Sequence, residues 1–580
     1  MKHLLFFICS ILFLLQFSST FATQTTGRLT VSGTIKHPTV DSVFLDGRAA
    51  ALDAEGNFSF ALQLDQPRYL TLKIKHHQVS IYAEPGKPVT LTFDEQAPKA
   101  SLKFKGPNSA INTFLQNQKA VSDRFNAYFN QSINTYLTKL PEQAFVHQMD
   151  SLKATFLDPL NPLRIKHPNF ATAYETEITL MFLSFLADYP LLHLKNTGES
   201  VCLSEASQAK LNAIDVNNPE LFKYEGFQRY LKNFLYRQIN QELKTHNYTT
   251  SDNQRLDAGF AIIPELFRTQ EVLDEVLYTF LLNHIENLGI KNIANSIVRF
   301  EALCKNDQYL QDIRSRYERE LSARQDHLIL PYKTIRGYTL DAHIFLPDTL
   351  APNKQYPAIA MFHGGSFFEG KPDWFFASCR EYARKGWVAV AVEYSVADRH
   401  GNLLPEAIAD GKSLVRYLRE NAAKLQVDPS RIMVTGNSAG ATIALALATI
   451  GEVLDEPTEN LKISSTPNAI MANAALADLT ETGHYWWHKH YTDKYIASVS
   501  PLHQVRAGLP PMLLLHGTND TSVDMASVKE FVQVSSALSN SCVFVPLNGA
   551  PHMIWRIPYF ANQIEQQRQS FIKSLGWLNN

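Results

Sequence analysis

The stretch Arg431 to Leu447, RIMVTGNSAGATIALAL, leaves a chain few ways to fold around it. An apolar run rich in β-branched residues enters Gly436-Asn437-Ser438-Ala439-Gly440 and leaves as an alanine-rich segment, the pattern of a strand, a sharp turn and a helix. Ser438 falls at the tip of that turn. A serine whose hydroxyl stands clear of a sheet edge needs a strained backbone, and neighbours without side chains let strand and helix close around it. Small-residue turns also enter helices for packing alone, so the flanking chain decides between a nucleophile and a tight turn.

At 580 residues the chain exceeds one ordinary core and calls for several domains. Its 45% apolar and 19% charged residues describe a globular protein, and a net charge of −2 gives no electrostatic case for nucleic acid or an acidic membrane surface. Lys2 and His3 precede an apolar run from Leu4 to Phe17, and Ser18 to Ala22 supply the small residues of a cleavage site. Residues 1–22 are therefore expected to be a signal peptide cut after Ala22, giving an exported chain, periplasmic or secreted, with no transmembrane segment. A membrane anchor is the competing reading, for which the apolar run is short. Cys9 lies inside the run with no small residues before it, which argues against lipid attachment. Cys202, Cys304, Cys379 and Cys542 are spaced as neither metal-ligand pairs nor a disulfide framework. Isolated buried thiols, no metal and no cofactor are expected, with a Cys202–Cys304 bridge left open.

Alternation of apolar residues (Leu29, Val31, Ile35; Phe58, Phe60, Leu62; Leu70, Leu72, Ile74; Val89, Leu91, Phe93) between turn signals predicts short antiparallel strands in a small β-sandwich over residues 23–106. Its Asp53 to Phe60 segment, D-x-x-G-x-F-x-F, and the turn Glu84-Pro85-Gly86 resemble the small β-domain that precedes exported bacterial thioredoxin-like proteins. No C-x-x-C follows, so no redox role is carried over. Residues 107–326 read as a helical region. Asn218-Pro219-Glu220 is a helix start, and Leu221, Tyr224, Phe227, Tyr230, Leu231 and Phe234 follow at helical spacing. The same texture marks Ile111 to Tyr136, Phe170 to Leu186 and Glu271 to Glu286. These aromatic stripes are expected to be helix-packing core. From 327 to 580 strands alternate with helices: a hairpin at Leu328 to Ile335 and Leu340 to Leu346, buried strands at Ala358 to Phe362 and Val388 to Val392, and helices near Trp374 to Lys385 and Pro405 to Ala423. This implies a mostly parallel sheet with helices on both faces.

Three further pieces of that last region fit chemistry at Ser438. His363-Gly364-Gly365-Ser366 follows a strand, and its small side chains leave backbone N–H groups free to face a developing oxyanion. Asp520 lies in the loop His516-Gly517-Thr518-Asn519-Asp520 just past a strand. His552 lies in Gly549-Ala550-Pro551-His552 past the last one. Singly, His363 can be structural, Asp520 can cap a helix (Asp524 being better placed for that), and His552 can be an ordinary loop residue. Together the order Ser438, Asp520, His552 gives a nucleophile, an acid and a base.

With Val392-Glu393-Tyr394-Ser395, Leu404-Pro405-Glu406-Ala407 and Asp410, these motifs make residues 330–577 resemble the α/β-hydrolase esterases and lipases of the hormone-sensitive-lipase-like and acetyl-xylan or feruloyl esterase type. The resemblance implies Ser438, Asp520 and His552 as a catalytic triad and an oxyanion hole of backbone N–H groups from Gly364, Gly365 or Ser366 with Ala439. It departs from the pattern at Ser366, where glycine or alanine is common, and at Asn437, where aspartate is common.

All six tryptophans lie between Trp374 and Trp577, and Trp374, Trp486, Trp487 and Trp555 flank the candidate loops. Aromatic faces there suit sugar rings and equally suit one another, so an acylated glycan or a smaller ester is the expected substrate. A peptidase of the prolyl-oligopeptidase type is the second enzyme reading, against which the first 326 residues show no propeller blades. A binding protein on a hydrolase scaffold, with the N-terminal domains tethering it to a glycan or a protein, is the third.

Overall fold

The computed structural model describes residues 27–577 except 76, 129–135, 249–250, 402–403 and 481–490. The expected signal peptide and the tryptophans Trp486 and Trp487 therefore lie outside the described residues. The chain divides into two compact units, Met1–Gln238 and Ile239–Asn580, so the helices expected as one region at 107–326 are shared between them.

In the first unit eight strands form two four-stranded sheets. These are β1 (Gly27–Lys36), β2 (Ser42–Leu45), β3 (Arg48–Ala51), β4 (Asn57–Leu64), β5 (Arg68–Ile74), β6 (His77–Ala83), β7 (Val89–Asp94) and β8 (Lys103–Lys105). They are ordered β4-β1-β7-β8 and β3-β2-β5-β6. The alternating residues Val31, Leu45, Phe60, Leu72 and Leu91 face one shared core, as a two-layer sandwich requires. One pairing departs from the antiparallel expectation: β1 runs parallel to β7. Of the strands between them in sequence, β2, β3, β5 and β6 form the opposite sheet and only β4 pairs with β1, so the chain re-enters the first sheet by a crossover instead of a hairpin.

The helices Ser109–Tyr128, Glu142–Leu157 and Pro168–Thr197 follow. Their aromatic stripes meet as core: Phe125 packs edge-on against Phe156 with ring centroids 5.5 Å apart. The segment Pro168–Leu194 is, by length and composition, long and apolar enough to cross a membrane, contrary to the expectation that none was. The protein itself buries 61% of its most apolar window, which is the setting of a core helix. The helix expected from Asn218 breaks in two. Asn218 caps a short 3-10 turn, Pro219–Leu221, by accepting from Glu220 N at 3.0 Å. A separate helix, Glu225–Thr245, starts after Tyr224 N has closed back on Leu221 O.

Glu177 lies where that second helix begins. Its Oε1 accepts from Gly226 N at 2.8 Å, and its buried Oε2 has no hydrogen-bond partner. Burial raises its pKa to about 7, and burial together with the charge of Glu177 raises Glu225 to about 7 as well. A carboxyl with a raised folded-state pKa loses stability as pH climbs from its unfolded value, about 4.3, to the folded one. Glu177→Gln is therefore expected to raise the melting temperature by a few degrees at pH 8 and to change it little at pH 5, as thermal melts at the two pH values would read. A gain of equal size at both would count against ionisation as the cause.

The second unit is built on an eight-stranded sheet of β9 (Leu328–Ile335), β10 (Tyr338–Phe345), β11 (Tyr356–Phe362), β12 (Val388–Val392), β13 (Val427–Asn437), β14 (Ala469–Asn473), β15 (Met512–Gly517) and β16 (Cys542–Leu547). The order across it is β9-β10-β12-β11-β13-β14-β15-β16. β10 pairs antiparallel with both of its neighbours, β9 and β12; β11 to β16 are mutually parallel. Strands covered on both faces read as unbroken apolar runs, as β12 (VAVAV) does. Alternate residues divide cleanly between two cores, with Ala358, Ala360, Val390 and Val434 on one face and Ile359, Met361, Ala391 and Met433 on the other. Helices Gln254–Leu266, Gln270–Leu288, Ala294–Leu303 and Asp307–Ser322 precede the sheet in the same unit.

Cys202, Cys304, Cys379 and Cys542 are free thiols. Cys304 and Cys379 are buried, whereas Cys202, just before the helix Glu205–Asn212, is exposed and Cys542, at the start of the edge strand β16, is half-buried, against the expectation of burial. No group of three or more candidate metal ligands occurs among the described residues.

Candidate active site

β13 ends at Asn437 and the helix Ala439–Thr449 begins one residue after Ser438. Ser438 carries φ 53° and ψ −118°, a left-handed backbone that L-residues rarely adopt outside functional turns. Crowding explains the glycines. A Cβ on Gly436 would lie 2.3 Å from Gly440 C, and one on Gly440 would lie 2.1 Å from Phe362 O on β11. Strand, helix and neighbouring strand thus meet at one point, and the hydroxyl stands at the C-terminal edge of the parallel strands.

The structure brings the three expected residues together there. Ser438 Oγ lies 3.0 Å from His552 Nε2, and His552 Nδ1 lies 2.7 Å from Asp520 Oδ2. Asp520 follows β15 and His552 follows β16, so the ends of the parallel strands β13, β15 and β16 supply the three groups, with β14 between the first two. The carboxylate is buried and fully engaged. Its Oδ1 accepts from Ser522 N at 2.8 Å and Val523 N at 2.9 Å, while Oδ2 also faces His516 Nε2 at 3.2 Å. Burial pushes its pKa up, but hydrogen bonds from His516, His552 and Val523 N outweigh this and hold the carboxyl well below the usual range. An ionised Asp520 fixes the proton of His552 on Nδ1 and leaves Nε2 as acceptor for the serine hydroxyl. Asp524, not Asp520, accepts from Ala526 N at the helix Ala526–Ala537, at 2.9 Å.

The candidate oxyanion loop lies beside the serine. A Cβ on Gly364 would sit 3.4 Å from Ser438 Cβ. Gly365 has φ 106°, Ser366 φ 55° and Phe367 φ 65°, a run of left-handed backbone that rolls the loop back on itself. Among the described residues no backbone carbonyl accepts from the N–H of Gly364, Gly365, Ser366 or Ala439. Ala439 opens a helix, whose first N–H groups have no acceptor within it. His363 is structural. Its Nδ1 is 2.8 Å from Gly364 O, its ring stacks on Tyr394 with centroids 4.1 Å apart, and burial lowers its pKa to about 4, so it stays neutral. Tyr394 Oη donates to His363 O at 2.8 Å. Glu393, Ser395 and Asp410 are supports as well: Ser395 N donates to Asp410 at 2.9 Å, and Asp410 pairs with Lys333 at 2.9 Å.

Asn437, which stands where aspartate is common in the resembled family, accepts at Oδ1 from Asn473 Nδ2 at 2.8 Å, and Asn473 O accepts from Ser438 N at 2.9 Å. Asn473 and His516 escaped sequence reasoning as functional supports. The available signals were an asparagine ending the apolar run of β14 and a histidine ending that of β15. Of the four tryptophans, two border the site: Trp555 meets His552 edge-on at 5.7 Å, and Trp374, 38% exposed, meets His363 edge-on at 6.0 Å.

A mostly parallel eight-stranded sheet with a serine on the strand–helix turn after β13, and a carboxylate and histidine past later strands, defines the second unit as an α/β-hydrolase. Residues 342–534 match the family model described as BD-FAE. The chain is similar to Esterase LipQ of Mycobacterium tuberculosis, 30% identical over 32% of this chain and 47% of that one. It is similar also to Esterase LipC of the same organism, 25% identical over 39% and 62%. The chain thus spans roughly half the length of these curated relatives. Thermogutta terrifontis esterase 2 in its apo form is 30% identical, with 44% of this chain and 97% of that one covered and a TM-score of 0.42.

Proposed function

We propose that the chain is an exported serine carboxylic-ester hydrolase that works through an acyl-enzyme and removes acyl groups, acetyl or feruloyl, from carbohydrate. The observation that carries the reaction is the unbroken relay from Ser438 through His552 to an ionised Asp520, at 3.0 and 2.7 Å. In the first half, Ser438 Oγ bonds to the ester carbonyl carbon while its proton passes to His552 Nε2, and the carbonyl oxygen, now negative, takes hydrogen bonds from N–H groups of Gly364, Gly365 or Ser366 and Ala439. Collapse breaks the bond to the leaving alcohol, which takes the proton from His552. Water then repeats the sequence on the acyl-serine and releases the acid. The relatives named as esterases support this class of reaction.

Two aromatic side chains, Trp555 against His552 and Trp374 against His363 of the candidate oxyanion loop, support a sugar as the alcohol part of the ester. A peptidase of the propeller-bearing kind gains no support, because the described strands before residue 327 form a two-sheet sandwich. A catalytically silent scaffold would have no need of the strained serine. For the sandwich and the helices after it we keep a tethering role toward a glycan or protein.

The purified protein is expected to hydrolyse p-nitrophenyl acetate, to release acetate or ferulate from acylated oligosaccharides, and to be recovered outside the cytoplasm beginning at Thr23. Hydrolysis of aryl esters with no release from any acylated sugar would remove the carbohydrate assignment. An N-terminus still at Met1 in the cytoplasmic fraction would remove export.

A further inference from the structure

The loop that carries Gly364 and Gly365 is gripped from outside the sheet. The helix Gln270–Leu288 ends against it, and the last carbonyls of a helix have no partner within the helix. Two of them are met by this loop and a third by Arg399 in the short helix Ala397–His400 after β12. Ile285 O accepts from Lys371 Nζ at 2.7 Å, Asn287 O from Gly370 N at 2.8 Å, and Leu288 O from Arg399 Nη2 at 2.6 Å. Both cations therefore sit at the negative end of the helix. Lys371 is 5% exposed and also pairs with Glu320, on the helix Asp307–Ser322, at 2.5 Å. Two residues further on, Asp373 pairs with Arg324 at 2.8 Å. Gly289, at φ 82°, makes room for the lysine stem: a Cβ there would lie 3.3 Å from Lys371 Cδ.

The grip reaches the site because the loop has no slack. A Cβ on Gly370 would lie 2.1 Å from His363 Nδ1, and one on Gly365 would lie 1.9 Å from Glu369 O. A shift at residues 370–371 thus moves His363 to Gly365 directly, and Gly364 faces Ser438.

We propose that Lys371 is a positioning residue that clamps the oxyanion loop to the C-terminus of the helix Gln270–Leu288, so that the helices 254–322 act in turnover by fixing where the oxyanion donors point. The inference rests on the hydrolase reading of Ser438. Donors of this kind accelerate a reaction because they are aimed before the charge develops, and a displacement of about 1 Å costs on the order of a hundredfold.

The test compares Lys371→Met, Lys371→Arg and wild type on p-nitrophenyl acetate and on a methyl trifluoromethyl ketone, which binds as a tetrahedral adduct. Lys371→Met is expected to lower kcat by about 10- to 100-fold with KM changed less than about threefold, and to weaken the ketone by the same factor as kcat. Lys371→Arg, which keeps the cation, is expected to recover most of both. A purely structural lysine would lower the melting temperature and leave kcat and ketone affinity at their wild-type values below it; that result overturns the proposal. Should Lys371→Met fail to fold, Glu320→Gln and Asp373→Asn, each removing one arm of the grip, replace it with smaller losses expected, and unchanged kcat in both overturns it equally. Ser438→Ala in parallel separates the two levels. A fully active Ser438→Ala fells the hydrolase reading and the clamp with it, whereas an inert Ser438→Ala beside a fully active Lys371→Met fells the clamp alone.

Discussion

Ser438→Ala is expected to lower kcat on p-nitrophenyl acetate by about 10⁴-fold or more while leaving the fold intact, since a triad acts as a unit and loss of its nucleophile removes nearly all that the triad supplies. The geometry makes this a clean substitution. Among the described residues Ser438 Oγ hydrogen-bonds to His552 alone, and the N–H and C=O of residue 438 keep their bonds to Asn473 O and Thr442 N. Alanine retains the Cβ that approaches Gly364, so the turn keeps its shape. Circular dichroism with steady-state kinetics would read both halves of the result. A folded variant hydrolysing at the wild-type rate would mean that another group attacks the ester.

Asp520→Asn is expected to lower kcat by about 10⁴-fold through the proton on His552, with little change in KM. The carboxylate receives His552 Nδ1 at 2.7 Å and His516 Nε2 at 3.2 Å while its other oxygen takes two backbone N–H groups. An amide can keep those backbone bonds only by turning its NH₂ toward the two histidines. That forces the proton of His552 onto Nε2, where it meets the serine as a donor and cannot accept. In the wild type the sign of the pH effect follows from the lowered folded pKa of Asp520. Its contribution to stability is present above the unfolded value, about 3.9, and is lost only as pH falls toward the folded one. An Asp520→Asn enzyme with kcat within tenfold of wild type would show that the tautomer of His552 is set elsewhere.

The meeting of Ser438, Asp520 and His552 was legible in sequence because each sits just past an apolar strand, and small residues around Ser438 and Gly364 announce close backbone approaches. The sandwich strands were legible through period-two alternation. What the sequence hid were contacts between distant segments. Nothing local in Gly370-Lys371-Pro372 says that its partners are the carbonyls of Ile285 and Asn287, because a carbonyl carries no residue identity. The support of Asp520 by His516 was similarly hidden: both residues were visible in one loop, yet only the fold shows the ring turned onto the carboxylate. The helix start at Asn218 was read correctly as a cap but extended too far, since spacing alone does not report that Gly226 N is drawn to Glu177.

The place of Ser438, Asp520 and His552 on the sheet also governs when the proposed activity can appear. Ser438 follows the central strand β13, whereas His552 follows β16, which lies three places away at the sheet's edge. β16 joins the sheet through β15, with Met512 opposite Cys542, but the contact of His552 with Ser438 spans 114 positions and forms only once β14, β15 and β16 are all in place. A partly folded chain therefore holds a serine without its base, and recovery of activity during refolding reports docking of the last strand, not assembly of the core.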